Sequence, residues 1–286
     1  MLISRNLCGF LVGAVAVLWQ GGVGGIPVLG QAGGDAQSES ANGLSARDQL
    51  NLGVDAYKAA RYGEAIAHFR KATELDPSLP MAKVYLATAL AQNVVPGLDT
   101  PENLTVAQQA IDLFKQILTN EPKDVNNLKQ IAGICYSVKR FDEAKDWQKK
   151  VLDVDPVDSE AAYTIGVIDW TLAHQNALKA LQSVGMTDDG TGNGSSPAVA
   201  MEAIKTQNGA LVPEAIDYLN QAILNRANYD DAMAYMNLVY RRKADLDWGN
   251  EAARAEDVAK AEEWAKKAMA ARKTHEQTKA AAGSPQ

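Results

Sequence analysis

Cysteine and histidine are almost missing from this chain, which has two of the first and three of the second in 286 residues. Cys8 lies among the first residues and Cys135 stands alone beyond it, so an internal disulfide is not expected and packing must hold the fold. Cys135 reads as a small core filler rather than a reactive thiol. His68, His174 and His275 are far apart, and none has a second ligand at i+3 or i+4, so no metal site is expected. The chain also lacks a Gly-x-Ser-x-Gly elbow, a phosphate-binding loop and a Gly-x-Gly-x-x-Gly turn after a strand. Nothing in it calls for catalysis or a cofactor. Basic residues number 28 against 35 acidic ones, for a net charge of −7, and no basic stripe is present to neutralise phosphates. Nucleic acid is therefore excluded as the expected partner. No stretch shows the β-branched, two-residue alternation of a strand, which leaves an all-α chain.

What is present begins with a leader-like segment. Arg5 gives a basic start, Leu7 to Leu18 is an apolar run, and no acid occurs before Asp35. Gly30-Gln31-Ala32 places small residues where a signal peptidase would cut, so residues 1–32 are expected to be a signal peptide and the chain to be exported, periplasmic or extracellular. The alternative is an uncleaved anchor, since Leu7 to Leu29 barely spans a bilayer and its glycines make a poor helix. Membrane contact is expected only through such a retained segment. Cleavage would remove Arg5 and no acid, lowering the net charge from −7 to −8. Residues 33–43 read as a flexible linker.

From residue 44 to 270 the sequence repeats about every 34 residues. Leu75-Asp76-Pro77, Glu121-Pro122 and Val154-Asp155-Pro156 each close a unit, with one full period from Pro122 to Pro156. In the first unit, Ala46 to Leu79, Leu52, Gly53, Ala56 and Tyr57 share one side of a first helix. Ala65, Ile66, Phe69 and Ala72 mark the inner stripe of a second, and Arg61-Tyr62-Gly63 makes the turn. The third unit repeats this as Ile131, Ala132, Tyr136, Phe141, Ala144, Trp147, Val151 and Pro156. The second keeps Leu86, Ala87, Leu90, Ala110, Phe114 and Ile117 around an insertion at 93–104. The fourth opens at Ile165-Gly166 and closes with Ala215, Leu219 and Ala222, and the fifth carries Met236, Tyr240, Ala261, Ala265 and Ala268. Small residues at Gly53, Ala65, Ala72, Ala144 and Ala222 allow close helix approach, and proline stops each second helix.

This pattern resembles the tetratricopeptide repeat, most specifically in units one and three. The resemblance implies an all-α, right-handed α-solenoid of about five helix-turn-helix repeats with insertions, acting as a non-catalytic scaffold that binds a protein or peptide in a concave groove. Carried onto the matching positions, it points to Tyr57, Tyr85, Lys129, Tyr136, Tyr163, Trp170, Tyr235 and Arg241 as ligand-binding residues, with Lys58, Asn126 and Arg242 beside them. Aromatics dominate this set, and Arg and Lys can hold a carboxylate. The family's clamp for chaperone C-termini is missing, because its places hold Leu50, Val54, Tyr85, Asn126 and Gln130. A carbohydrate- or polymer-binding accessory protein of the cell envelope, using the same aromatics as stacking platforms, is the other reading.

Between Thr171 and Val212 the fourth unit carries its own insertion, either a lid or a packing device. Ile165, Ile168, Leu172, Leu178 and Leu181 extend its first helix, and Ala198 to Gln207 forms a short returning helix. Asp188 to Gly194 tests poorly as a calcium loop, since the twelfth position from Asp189 is Ala200 and Glu202 is out of register. It reads as a flexible polar tip. Beyond the fifth unit a polar helix through Glu262, Lys266 and Arg272 caps the array, with residues 271–286 as its end and a frayed tail.

Overall fold

A computed structural model describes residues 43–282. The expected leader and most of the expected linker lie outside these residues, as do the last four. Among the described residues there are eleven α-helices and no strand. They are α1 (Ala46–Lys58), α2 (Tyr62–Leu75), α3 (Pro80–Asn93), α4 (Pro101–Leu118), α5 (Val125–Ser137), α6 (Phe141–Val154), α7 (Ser159–Gln182), α8 (Ala198–Asn208), α9 (Leu211–Asn225), α10 (Asp230–Leu246) and α11 (Glu251–Ala282). In chain order they follow the five expected helix pairs, α1/α2, α3/α4, α5/α6, α7/α9 and α10/α11, with α8 inserted into the fourth. The all-α helical-repeat expectation holds. The chain divides into two compact units, with the boundary between Leu86 and Ala87 inside α3.

In the first unit, α1 starts at a capping box. The Ser45 hydroxyl accepts the Asp48 N–H, while the Asp48 carboxylate accepts the Ser45 N–H. Gly53 lies directly on the Phe69 ring, and a Cβ there would come within 2.4 Å of it. Phe69 is fully buried beside Ala65 and Ala72 and stacks on Tyr85 at 5.4 Å. One residue departs from the expected stripe: Leu52 is 40% exposed, and Leu50 takes the buried place with Gly53 and Ala56.

The second unit stacks its helices in chain order from α4 to α7, then α9, α10 and α11. Its hairpins reuse the backbone of the first. After α1 the turn passes through Ala60 at φ 57° and the Arg61 N–H returns to the Ala56 carbonyl at 2.9 Å. After α5 it passes through Lys139 at φ 60° and the Arg140 N–H returns to the Cys135 carbonyl at 2.8 Å. Both close the helix with a left-handed residue, a position that glycine usually fills. Between hairpins, Asp76 and Asp155 accept backbone N–H bonds from two residues on, which fixes the Asp-Pro turns seen in the sequence. Asp124 and Asp158, one period apart, cap α5 and α7.

The two insertions are both tied down. Asn103, at the start of α4, exchanges bonds with the Val95 backbone and donates to the Leu98 carbonyl at 2.6 Å. In the fourth hairpin α7 runs for 24 residues, as the apolar pattern predicts. The returning helix α8 lays Met201 and Ile204 on Ala177, Ala180 and Leu181, with Leu246 and Trp248 closing the cluster. This insertion is a packing device. Cys135 is fully buried, and burial pushes its thiol up to about 11, as suits a core filler. No helix among the described residues is long and apolar enough to cross a membrane.

Candidate functional site

Helices α7 and α10 pack side by side, and their facing residues make a continuous row of rings. Tyr163 meets Tyr229 at 5.1 Å and Tyr235 at 5.6 Å, Tyr235 meets Trp170 edge-on at 5.3 Å, and Trp170 stacks on His174 at 5.1 Å with 8° between planes. The spacing explains the row, since Tyr163, Trp170 and His174 lie seven and four residues apart and so share one face of α7. Three of the sequence-derived site residues, Tyr163, Trp170 and Tyr235, are thus brought together. Tyr136 on α5 lies close enough to the Tyr163 and Tyr235 hydroxyls to disfavour their ionisation, after the larger effect of burial. Its own ring packs edge-on against Phe141 at 5.5 Å.

Exposure separates these side chains. Tyr163 and Tyr235 are each only 5% exposed, whereas Trp170, His174 and Tyr136 are half-buried. The two tyrosines form the floor, and the other three form the accessible rim. Burial, then the Arg242 cation, holds His174 below the usual imidazole range. The remaining sequence-derived residues lie elsewhere or are occupied. Tyr57 packs on Tyr62 at 5.4 Å, and Tyr85 lies on Phe69; both belong to the first unit. Lys129 is bound to Asp158 at 2.5 Å and Glu160 at 3.4 Å. Arg241 donates to the Gly190 carbonyl at 2.7 Å and to Asn237 at 3.1 Å.

That last contact corrects the flexible-tip expectation, because the 188–194 loop is pinned to α10. Arg242 donates to both oxygens of Asp188 at 2.8 Å, Asn193 donates to Asp188 at 3.1 Å and to Asp245 at 2.7 Å, and Asp189 accepts the N–H groups of Thr191 and Asn193. Arg242 and Asp245 also face each other at 3.0 Å without hydrogen-bond geometry. Asp245 is fully buried, and that burial lifts its carboxyl to about 6 despite Arg242. Local composition, Gly and Asn between aspartates, hid this, because the partners are contributed more than 50 residues away.

Sequence reasoning also missed a second buried ionic group. Lys145 on α6 pairs with Asp169 on α7 and with Glu214 on α9 at 2.8 Å, and Lys149 pairs with Glu214 at 2.8 Å. Lys145 sits where the repeat turns inward, beside Ala144, so its position on the inner stripe was the available signal. Desolvation lifts Asp169 to about 6, while pairing raises Lys145 and lowers Glu214.

Comparison with known proteins bears on the first hairpin directly. Residues 46–79 match the family model of the tetratricopeptide repeat, the same span as the first unit read from the sequence. The first hairpin matches a tetratricopeptide repeat. Among solved structures, the crystal structure of MamA gives a TM-score of 0.50 at 13% identity, over 79% of this chain and 97% of that one. The MamA 41-end structure from Desulfovibrio magneticus RS-1 gives 0.48 at 15% identity, over 79% and 98%. YrrB, described as a TPR protein with an unusual peptide-binding site, gives 0.46 at 15% identity, over 80% and 92%. At 13% identity the likeness to the MamA crystal structure bears on the fold alone. A comparison with curated proteins finds no match.

Proposed function

We propose that this chain is a non-catalytic scaffold that binds a protein or peptide along the rim of the aromatic row, with Trp170, His174 and Tyr136 as contact residues and Tyr163 and Tyr235 as their rigid support. The observation that carries this reading is the row itself, built from facing residues of α7 and α10. Such rings supply large contact area at low entropic cost. The carbohydrate reading has no separate observation in its favour.

Trp170→Ala tests the proposal. Affinity capture with the full chain from the native envelope fraction should recover a partner that the variant binds more weakly by about 2 kcal/mol, with its melting little changed because the ring is half-exposed. Lower melting with binding retained at low temperature would assign Trp170 to the core and move the ligand elsewhere. We also propose that the scaffold works outside the cytoplasm, on the strength of Arg5, the apolar run to Leu18 and the small residues Gly30 and Ala32. Intact mass of protein from the native host should show a chain starting close to Gly33. A mass retaining Met1 to Ala32 refutes cleavage.

A further inference from the structure

The pinned loop forms one wall of a cavity of about 410 Å³, whose other wall is the start of α11. Asp189, Thr191, Ser195, Glu251 and Arg254 line it, with Val258 among the apolar residues. The size is within the range of small-ligand pockets.

Arg254 is its most informative residue. The side chain is half-buried, yet its guanidinium makes no hydrogen bond or ion pair with any described residue. It reaches the cavity by crossing the loop over Gly192 and Gly194. A Cβ on Gly192 would come within 2.7 Å of the Arg254 Cγ and Cδ, and a Cβ on Gly194 would lie 1.4 Å from Nη1. Gly192 has φ +91°, so its backbone favours glycine on its own account. Gly194 lies outside the left-handed region, and a Cβ there would meet only the end of the Arg254 side chain, so a substitution displaces the guanidinium rather than the backbone. The loop is in turn held by Arg241, Arg242 and Asp245, so the guanidinium rests on a fixed surface. Half-burying a cation without a partner costs free energy, and a ligand that supplies the partner recovers it.

The charges select the ligand class. Asp189 uses Oδ1 for the Thr191 and Asn193 N–H groups at 2.7 and 3.0 Å, and Glu251 has no ion pair among the described residues. A doubly charged phosphate would face two carboxylates, and a simple cation would face an unpaired guanidinium. A molecule carrying a carboxylate together with a cationic group satisfies both. We propose that this cavity binds a zwitterionic ligand, its carboxylate on Arg254 and its cationic group toward Glu251. A free basic amino acid and a peptide chain end share this chemistry. The site does not depend on the aromatic row, and Trp170→Ala leaves it intact.

Calorimetric titration of the full chain with free lysine, with the peptide N-acetyl-Ala-Ala-Lys and with its C-terminal amide tests the assignment. At least one free-carboxylate probe should bind saturably, and the amide should bind about tenfold more weakly or worse. Arg254→Gln should show the same loss with unchanged melting, because Arg254 has no described partner to lose. Should that variant melt lower, Gly194→Ala is read in its place, since it displaces the guanidinium while keeping the charge. Lysine binding assigns the site to free amino acids, and binding by the peptide alone assigns it to chain ends. Equal binding by wild type and both variants, or no saturable binding of either free-carboxylate probe, overturns the proposal.

Discussion

Two glycines ten residues apart in the first hairpin should respond to the same substitution with opposite sign. At Gly53 an added Cβ would meet Phe69 Cε1 at 2.4 Å, Cδ1 at 2.5 Å and Cζ at 3.0 Å, whereas at Gly63 nothing lies within 4 Å. Carbon atoms rest at about 3.5–4.0 Å, so in Gly53→Ala the ring must retreat by roughly an ångström. Phe69 has little room to do so, being fully buried and stacked on Tyr85. Overpacking of this kind costs about 1–3 kcal/mol. Replacing glycine by alanine in a helix returns up to about 1 kcal/mol, which leaves a net loss of up to about 2 kcal/mol. Gly63→Ala has only the favourable part, reduced because Gly63 lies in the first turn of α2. Thermal unfolding followed by circular dichroism reads both, and about 2–4 °C per kcal/mol places the two variants several degrees apart on either side of wild type. If Gly53→Ala melts at or above wild type, the two helices do not approach as closely as Gly53 requires, and the argument fails.

Removing the cation in Lys145→Met takes away the charge that offsets burial at Asp169, so the carboxyl rises further above about 6 and is left buried without its partner, a loss of about 3 kcal/mol near neutral pH by chemical denaturation. The loss should shrink near pH 5, where Asp169, lifted to about 6 by burial, takes up a proton, and an equal loss at both pH values refutes the pairing. Asp245, faced by Arg242, Asn193, Asp188 and Asp189, is likewise lifted to about 6, above its usual 3.8. Its contribution is complete below that usual value and is lost as pH rises through about 6; Asp169 and Asp257, also lifted to about 6, act in the same sense, so wild-type stability should fall between pH 4 and pH 7 and Asp245→Asn should remove about 2 kcal/mol of that decline. The lowered carboxyls Asp188 and Glu214 act in the opposite sense toward the acid end and the lowered His174 opposes within the window, so the assignment is read from the difference between wild type and Asp245→Asn, and an equal pH dependence in both refutes it.

The hairpins were legible because their signals are local. Asp76-Pro77 and Asp155-Pro156 end second helices by backbone geometry alone, and Gly53 and Ala65 mark close contacts within one unit. The extended α7 was legible for the same reason, as its apolar residues continue the helical period. Partnership was not legible. Lys129 and Arg241 occupy the family's ligand-facing positions, yet each is taken by acceptors on other elements, which no spacing rule within a unit reveals. The row of Tyr163, Trp170 and Tyr235 could be read as neighbours, but the division between buried floor and accessible rim depends on how α7 meets α10. The loop at 188–194 shows the limit most clearly, since its composition signals freedom while Arg242 and Asp245 hold it in place.

The apolar cluster beneath α8 bears on how this chain could change over evolutionary time. Repeat arrays lengthen or shorten by copying or dropping whole units, which works when each unit touches only its neighbours through interchangeable faces. Here Leu246 and Trp248 from the last hairpin complete a core otherwise built by the fourth hairpin and its insertion. A copy placed between those hairpins would separate the two halves of that core, so this junction is closed to duplication.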